Sequence, residues 1–185
     1  MPLRTERRPG ERFGFLRQIA ILSPEELDLC RRSPDALGRL YAFQLVPDDD
    51  RVELSWVAVA LPRLAPTREL RDAFSLVLES PYRTGAPGII HFDRVGEDRP
   101  YALLPDAVAA CAEVLRDTDI DAMIAEIPAV TRSMSALGGP GEEGVRWVIT
   151  TVLDVVAEAA ARGAALASWR SSDDTAILPR ADRAD

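Results

Sequence analysis

The single histidine of this 185-residue chain, His91, lies in the stretch GIIHFDRV, with Asp93 two residues on and Arg94 beside it. An imidazole can take or give a proton near neutral pH, and a carboxylate is a common group to orient it. If this stretch is a strand, Ile89, His91 and Asp93 share one face and Ile90, Phe92 and Arg94 the other. The α-carbons of His91 and Asp93 would then be about 6–7 Å apart, close enough to orient one another or hold a water between them. His91 and Asp93 are accordingly the candidates for acid–base work. Three readings of His91 stay open: catalysis, the lining of a binding cleft, or an ordinary hydrogen-bonded surface position. A catalytic pair also needs a nucleophile. Ser75, Ser80, Tyr82, Thr84 and Tyr101 supply hydroxyls nearby in sequence, but none stands in a G-x-S-x-G elbow. As a binding site, Tyr82, His91, Asp93 and Tyr101 are expected to rim a groove where a helix end meets the strand.

Other motifs lead mainly to structural roles. The glycines of GAPG, residues 85–88, permit a bend into the strand, and those of GGPG, residues 138–141, a connection; neither has the lysine of a phosphate loop or the G-x-G-x-x-G order. The acidic run Asp48–Asp50 lacks the spacing of a calcium loop and reads as a turn. Glu142, Glu143, Asp117, Asp119 and Asp121 sit where helix starts are expected, and dipole complementarity accounts for them. Cys30 and Cys111 have no C-x-x-C partner and read as small buried hydrophobes. With one histidine, the usual histidine-based metal motifs cannot be written, and neither a metal nor another cofactor is expected; an all-carboxylate magnesium site is left open.

Several helices must position these groups. Ser23 is placed as N-cap, Pro24 as N1 and Glu26 as N3 of a first helix, with Leu22 and Leu27 as its hydrophobic staple. Ser33-Pro34 opens a second short helix or turn. Apolar stripes predict further helices over residues 67–79 (Leu70, Ala73, Phe74, Val77), 105–117 (Val108, Cys111, Ala112, Leu115) and 119–127, halted by Pro128 (Ile120, Met123, Ile124, Ile127). The longest follows Gly141, with Val145, Val148, Ile149, Val152, Val156 and Ala159 on one face and Gly163 as its C′ residue. Strands are expected in FGFLRQIAIL, in RVELSWVAVALP (central for part of its length), in GIIHFDRV and in AALASW, where Trp169 anchors the end. The resulting order is β-α-α-β-α-β-α-α-α-β.

This order predicts an α+β fold: one compact domain over residues 11–170 with a small mixed or antiparallel sheet packed against several helices. Residues 1–10 and 171–185 are polar and charged and are expected to be disordered. A composition of 47% hydrophobic and 28% charged residues fits a folded globule. Thirty acidic against 22 basic residues give a net charge of -8, a field that repels nucleic acid and anionic membranes. The charged N-terminal stretch and the lack of a long apolar run point to the cytoplasm.

Three segments, ILSPEELDLCRRSPDAL, RPYALLPDAVAACAEVLRDTD and VRWVITTVLDVVAEAAARGAALASW, resemble the YfbM-like bacterial proteins, a family of unknown function. The matching positions are Ser23 to Leu27; Tyr101, Leu103, Pro105 and Val108 at a helix start; and Ala159, Ala160 and Gly163 with the strand to Trp169. The resemblance implies a compact α+β fold and brings no active residues with it. The leading expectation is a non-catalytic domain that binds a protein partner, as an accessory or immunity-like protein, monomeric or homodimeric. The alternative is a small hydrolase or small-molecule-binding enzyme with its cleft at His91.

Overall fold

The computed structural model describes residues 16–42, 44–79, 88–92, 100–126 and 141–171. Its helices start where local chemistry directs them. Ser23 caps α1 (Pro24–Arg32) with a full capping box: its Oγ accepts from the Glu26 N–H at 3.2 Å, and Glu26 Oε2 accepts from the Ser23 N–H at 2.8 Å. Two orphan donors are thereby satisfied at once. Ser33 ends α1 and caps α2 (Pro34–Tyr41), so the second Ser-Pro pair does open a helix. Next come α3 (Leu61–Leu64), α4 (Arg68–Leu78, capped by Thr67), α5 (Pro105–Leu115) and α6 (Ile120–Ala125, capped by Asp119). The longest helix, α7 (Glu142–Ala161), carries Glu142 and Glu143 in its first turn, and Gly163 follows it at φ +59. None of these helices is long and apolar enough to cross a membrane.

Among the described residues, five strands form one sheet: β1 (Leu16–Leu22), β2 (Arg51–Leu54), β3 (Ile89–His91), β4 (Tyr101–Leu103) and β5 (Ala165–Ser171). Their spatial order is β2-β1-β5-β4-β3, and every neighbouring pair is antiparallel. The sheet is thus wholly antiparallel, and its central strand β5 and the neighbouring β1 come from the two ends of the described chain. The expected order lacked β4, which the structure inserts between β3 and α5.

Helices cover both faces. Ala20, Leu22, Ala102, Ala165, Ala167 and Trp169 face α1 and α2 and pack with Leu27, Cys30, Leu37 and Leu40. Most of these sheet residues are alanines, whose small side chains let the two helices lie close. Trp169 closes this layer against Tyr41, with ring centroids 5.6 Å apart. On the opposite face Ile19, Ile21, Leu103 and Leu166 meet the larger core of α4, α5, α6 and α7. Every apolar position expected on the inner face of α7 is buried there. Each fully buried large aliphatic side chain contributes about 1.5–3 kcal/mol of transfer free energy.

One expected strand is corrected. Only Arg51–Leu54 of RVELSWVAVALP is extended; Trp56–Ala60 is a 3-10 helix that runs into α3. Nor is β2 central, since it forms one edge of the sheet. The aspartate run before it is a 3-10 turn, as expected, and Asp50 receives both guanidinium nitrogens of Arg162, tying the end of α7 to the start of β2. The segments expected to be disordered, 1–10 and all but the first residue of 171–185, lie outside the described residues.

Candidate functional site: a polar row across the sheet

Gly88 sets the entry to β3. Its φ is +80, a left-handed conformation that L side chains rarely adopt, and a Cβ there would lie 2.8 Å from the Cβ of Ala107 on α5. The Gly88 carbonyl accepts the Leu104 N–H at 2.8 Å, and the Phe92 N–H donates to the Pro100 carbonyl at 2.9 Å. These bonds place His91 and Tyr101 in a non-hydrogen-bonded cross-strand pair, the arrangement in which facing side chains come closest. Their ring centroids are 6.3 Å apart at an interplanar angle of 50°. Tyr101 is in turn directly opposite Ser168 of β5, and Ser168 opposite Ile19 of β1.

One row of the sheet, on the face toward α4, α5 and α7, therefore reads Ile19, Ser168, Tyr101, His91. The parallel row on one side is apolar throughout: Ile21, Leu166, Leu103 and Ile89. On the other side it is charged, since Arg17 stands directly opposite Arg170. Arg17, Tyr101 and Ser168 are each at most 1% exposed. His91 is half-buried, but both of its ring nitrogens are shielded from solvent, as is Ser168 Oγ, and none of the three has a hydrogen-bond partner among the described residues. Leaving such a group buried and unsatisfied costs about 1–3 kcal/mol.

The row joins two of the four residues expected at the cleft, His91 and Tyr101. Tyr101 is a fully buried residue of β4, the strand that leads into α5. Tyr82 and Asp93 lie outside the described residues, as do Arg94 and residues 85–87 of GAPG. Strand β3 ends at His91, so no face shared with Asp93 is assigned. Ser168 and Arg17 were not singled out from the sequence, although an arginine and a glutamine inside the apolar strand LRQIAIL, and a serine inside ALASW, were the available signals.

Chemically the row offers donors and acceptors rather than an activated nucleophile. Ser168 and His91 are separated by the whole of β4, about 10 Å at their α-carbons, so His91 is not placed to take the Ser168 proton. The two cysteines stand elsewhere and are poor nucleophiles. Burial pushes both thiols up to about 11, with Glu26 adding to the effect at Cys30. Among the described residues no group of three or more His, Cys, Asp or Glu side chains is placed to hold a metal ion.

Compared with protein-family models, curated proteins and solved structures, the chain matches none of them. The resemblance to the YfbM-like proteins therefore gains no support from a family model.

Proposed function

We propose that this chain is a non-catalytic binding domain of the cytoplasm that holds a small polar ligand along the row His91, Tyr101, Ser168. One observation carries the reading: Ser168 Oγ and both nitrogens of His91 are buried without a hydrogen-bond partner among the described residues. A purely structural row would favour apolar residues, as the adjacent row Ile21, Leu166, Leu103 and Ile89 does. The separation of Ser168 from His91 favours binding over hydrolysis.

A protein partner has less to rest on. Leu29 and Val114 are the exposed large hydrophobics among the described residues, and their helices, α1 and α5, cover opposite faces of the sheet. They form no continuous patch of the kind that anchors an interface.

Because His91 is the only histidine, its imidazole gives one set of nitrogen resonances in the full-length chain. Titrating a panel of neutral and charged polar small molecules should move those resonances saturably for at least one compound. The Ser168→Ala variant, with an unchanged circular dichroism spectrum, should weaken that binding. No saturable shift from any compound at millimolar concentration would overturn the proposal, as would binding that Ser168→Ala leaves intact.

A further inference from the structure

We infer that the ligand of this row carries an oxyanion, a carboxylate or a phosphate, at the Ser168 end and a second hydrogen-bonding group at the His91 end. The inference rests on the binding reading above and adds the chemical class. Arg17 and Arg170 face each other across β1 and β5, on the same side of the sheet as Ser168 and in the next row. Like charges directly opposite in a strand pair repel, and one of these two guanidiniums is 1% exposed. A chain with a net charge of -8 has nevertheless gathered two arginines, a buried hydroxyl and its single imidazole onto adjacent rows of one sheet face.

An oxyanion is the group this arrangement favours. Guanidinium forks match the planar or tetrahedral oxygens of carboxylate and phosphate, and charge-assisted bonds to them are about twice as strong as neutral ones. Both arginines already interact within the chain, so the oxyanion would join an existing set of contacts. Ser168 Oγ has no partner among the described residues and supplies a donor beside the arginines. His91, about 10 Å further along the row, would engage the other end of the ligand. The ligand is then a molecule long enough to span two strand spacings, with an oxyanion at the Ser168 end.

The test uses the full-length chain at low ionic strength with three probes: inorganic phosphate, succinate and glycerol. Backbone amide resonances of Ser168 and Arg170 report one end of the row and the His91 imidazole the other. Phosphate or succinate should shift Ser168 and Arg170 saturably, and glycerol should not. Arg170→Gln, at an exposed position that tolerates change, should weaken that binding roughly tenfold or more. Arg17→Gln should do the same if it folds, and Arg170→Gln decides the matter if it does not. If neither anion shifts Ser168 or Arg170 while a neutral polar compound from the panel still moves His91, the oxyanion inference falls and the binding reading stands. If nothing binds, both fall. Anion binding that Arg170→Gln leaves unchanged also overturns the inference.

Discussion

Gly88→Ala tests whether β3, and with it His91, is held by the close approach of a glycine to α5. Two costs add. The backbone at φ +80 disfavours any L side chain, by about 1–2 kcal/mol. The new methyl would sit 2.8 Å from the Ala107 Cβ, and overpacking of this kind typically costs about 1–3 kcal/mol more. The sum, about 2–5 kcal/mol, corresponds to a fall in Tm of roughly 4–20 °C for a chain of this size. Urea unfolding followed by circular dichroism measures it, and the His91 imidazole resonances report whether β3 keeps its place. Ala107→Gly relieves the clash but leaves the backbone cost, so the double variant should be more stable than the sum of the single effects predicts. Two results would refute the reasoning. One is a Gly88→Ala chain within about 0.5 kcal/mol of the parent. The other is strict additivity in the double variant, which would mean that β3 and α5 do not meet at this point.

Ser23→Ala removes the hydroxyl half of the capping box and should lower stability by about 1 kcal/mol, seen as a lower urea midpoint with an unchanged slope. The cysteines should resist alkylation. With both thiols raised from 9.0 to about 11, the thiolate fraction at pH 8 is lower by about a hundredfold than in the unfolded chain, so iodoacetamide should label Cys30 and Cys111 quickly only in denaturant. The same shifts fix the alkaline stability. The unfolded thiols lose their protons near pH 9 while the folded ones keep theirs, so the unfolded state binds fewer protons and stability falls between about pH 9 and pH 11. Cys111→Ala should flatten that fall, and an unchanged alkaline slope in this variant would contradict the assignment.

The helices were legible because their signals are local. Serine caps, proline at N1, acidic first turns and a 3.6-residue stripe all lie within one or two turns of sequence, and α1, α2, α4, α5 and α7 follow them. The segment after β2 was misread because its apolar residues run without interruption, and alternation can be traced through such a run at will. The buried positions show a different period: Leu54, Val57, Ala58, Leu61, Leu64 and Ala65 recur at spacings of three, one, three, three and one, a helical pattern. Pro62, which lacks an N–H and is tolerated in a first helical turn, agrees with it. Strand β4 was missed for the opposite reason. Three residues, Tyr101–Leu103, are too few to display a period, and both their faces are buried.

The site divides in the same way. His91 and Tyr101 lie ten positions apart, at matching places on two short strands of a local antiparallel pair, so a reading that grouped nearby polar and aromatic residues could bring them together. Ser168 and Arg17 reach the row only through the β4–β5 and β1–β5 pairings, and no local pattern announces that residue 17 will face residue 170. What sequence does offer is an inconsistency. β1 is flanked by strands on both sides and covered by helices on both faces, so each of its positions is expected to be apolar; Arg17 and Gln18 break that rule in succession. Gln18 is accounted for on the α1 and α2 face, where it donates to Glu53 at 2.9 Å. Arg17 points to the other face, toward the row that ends at His91. A buried charged residue near the start of a doubly covered strand has an energetic cost, which gives its position more weight in locating a site than the proximity of His91 and Asp93 in the sequence.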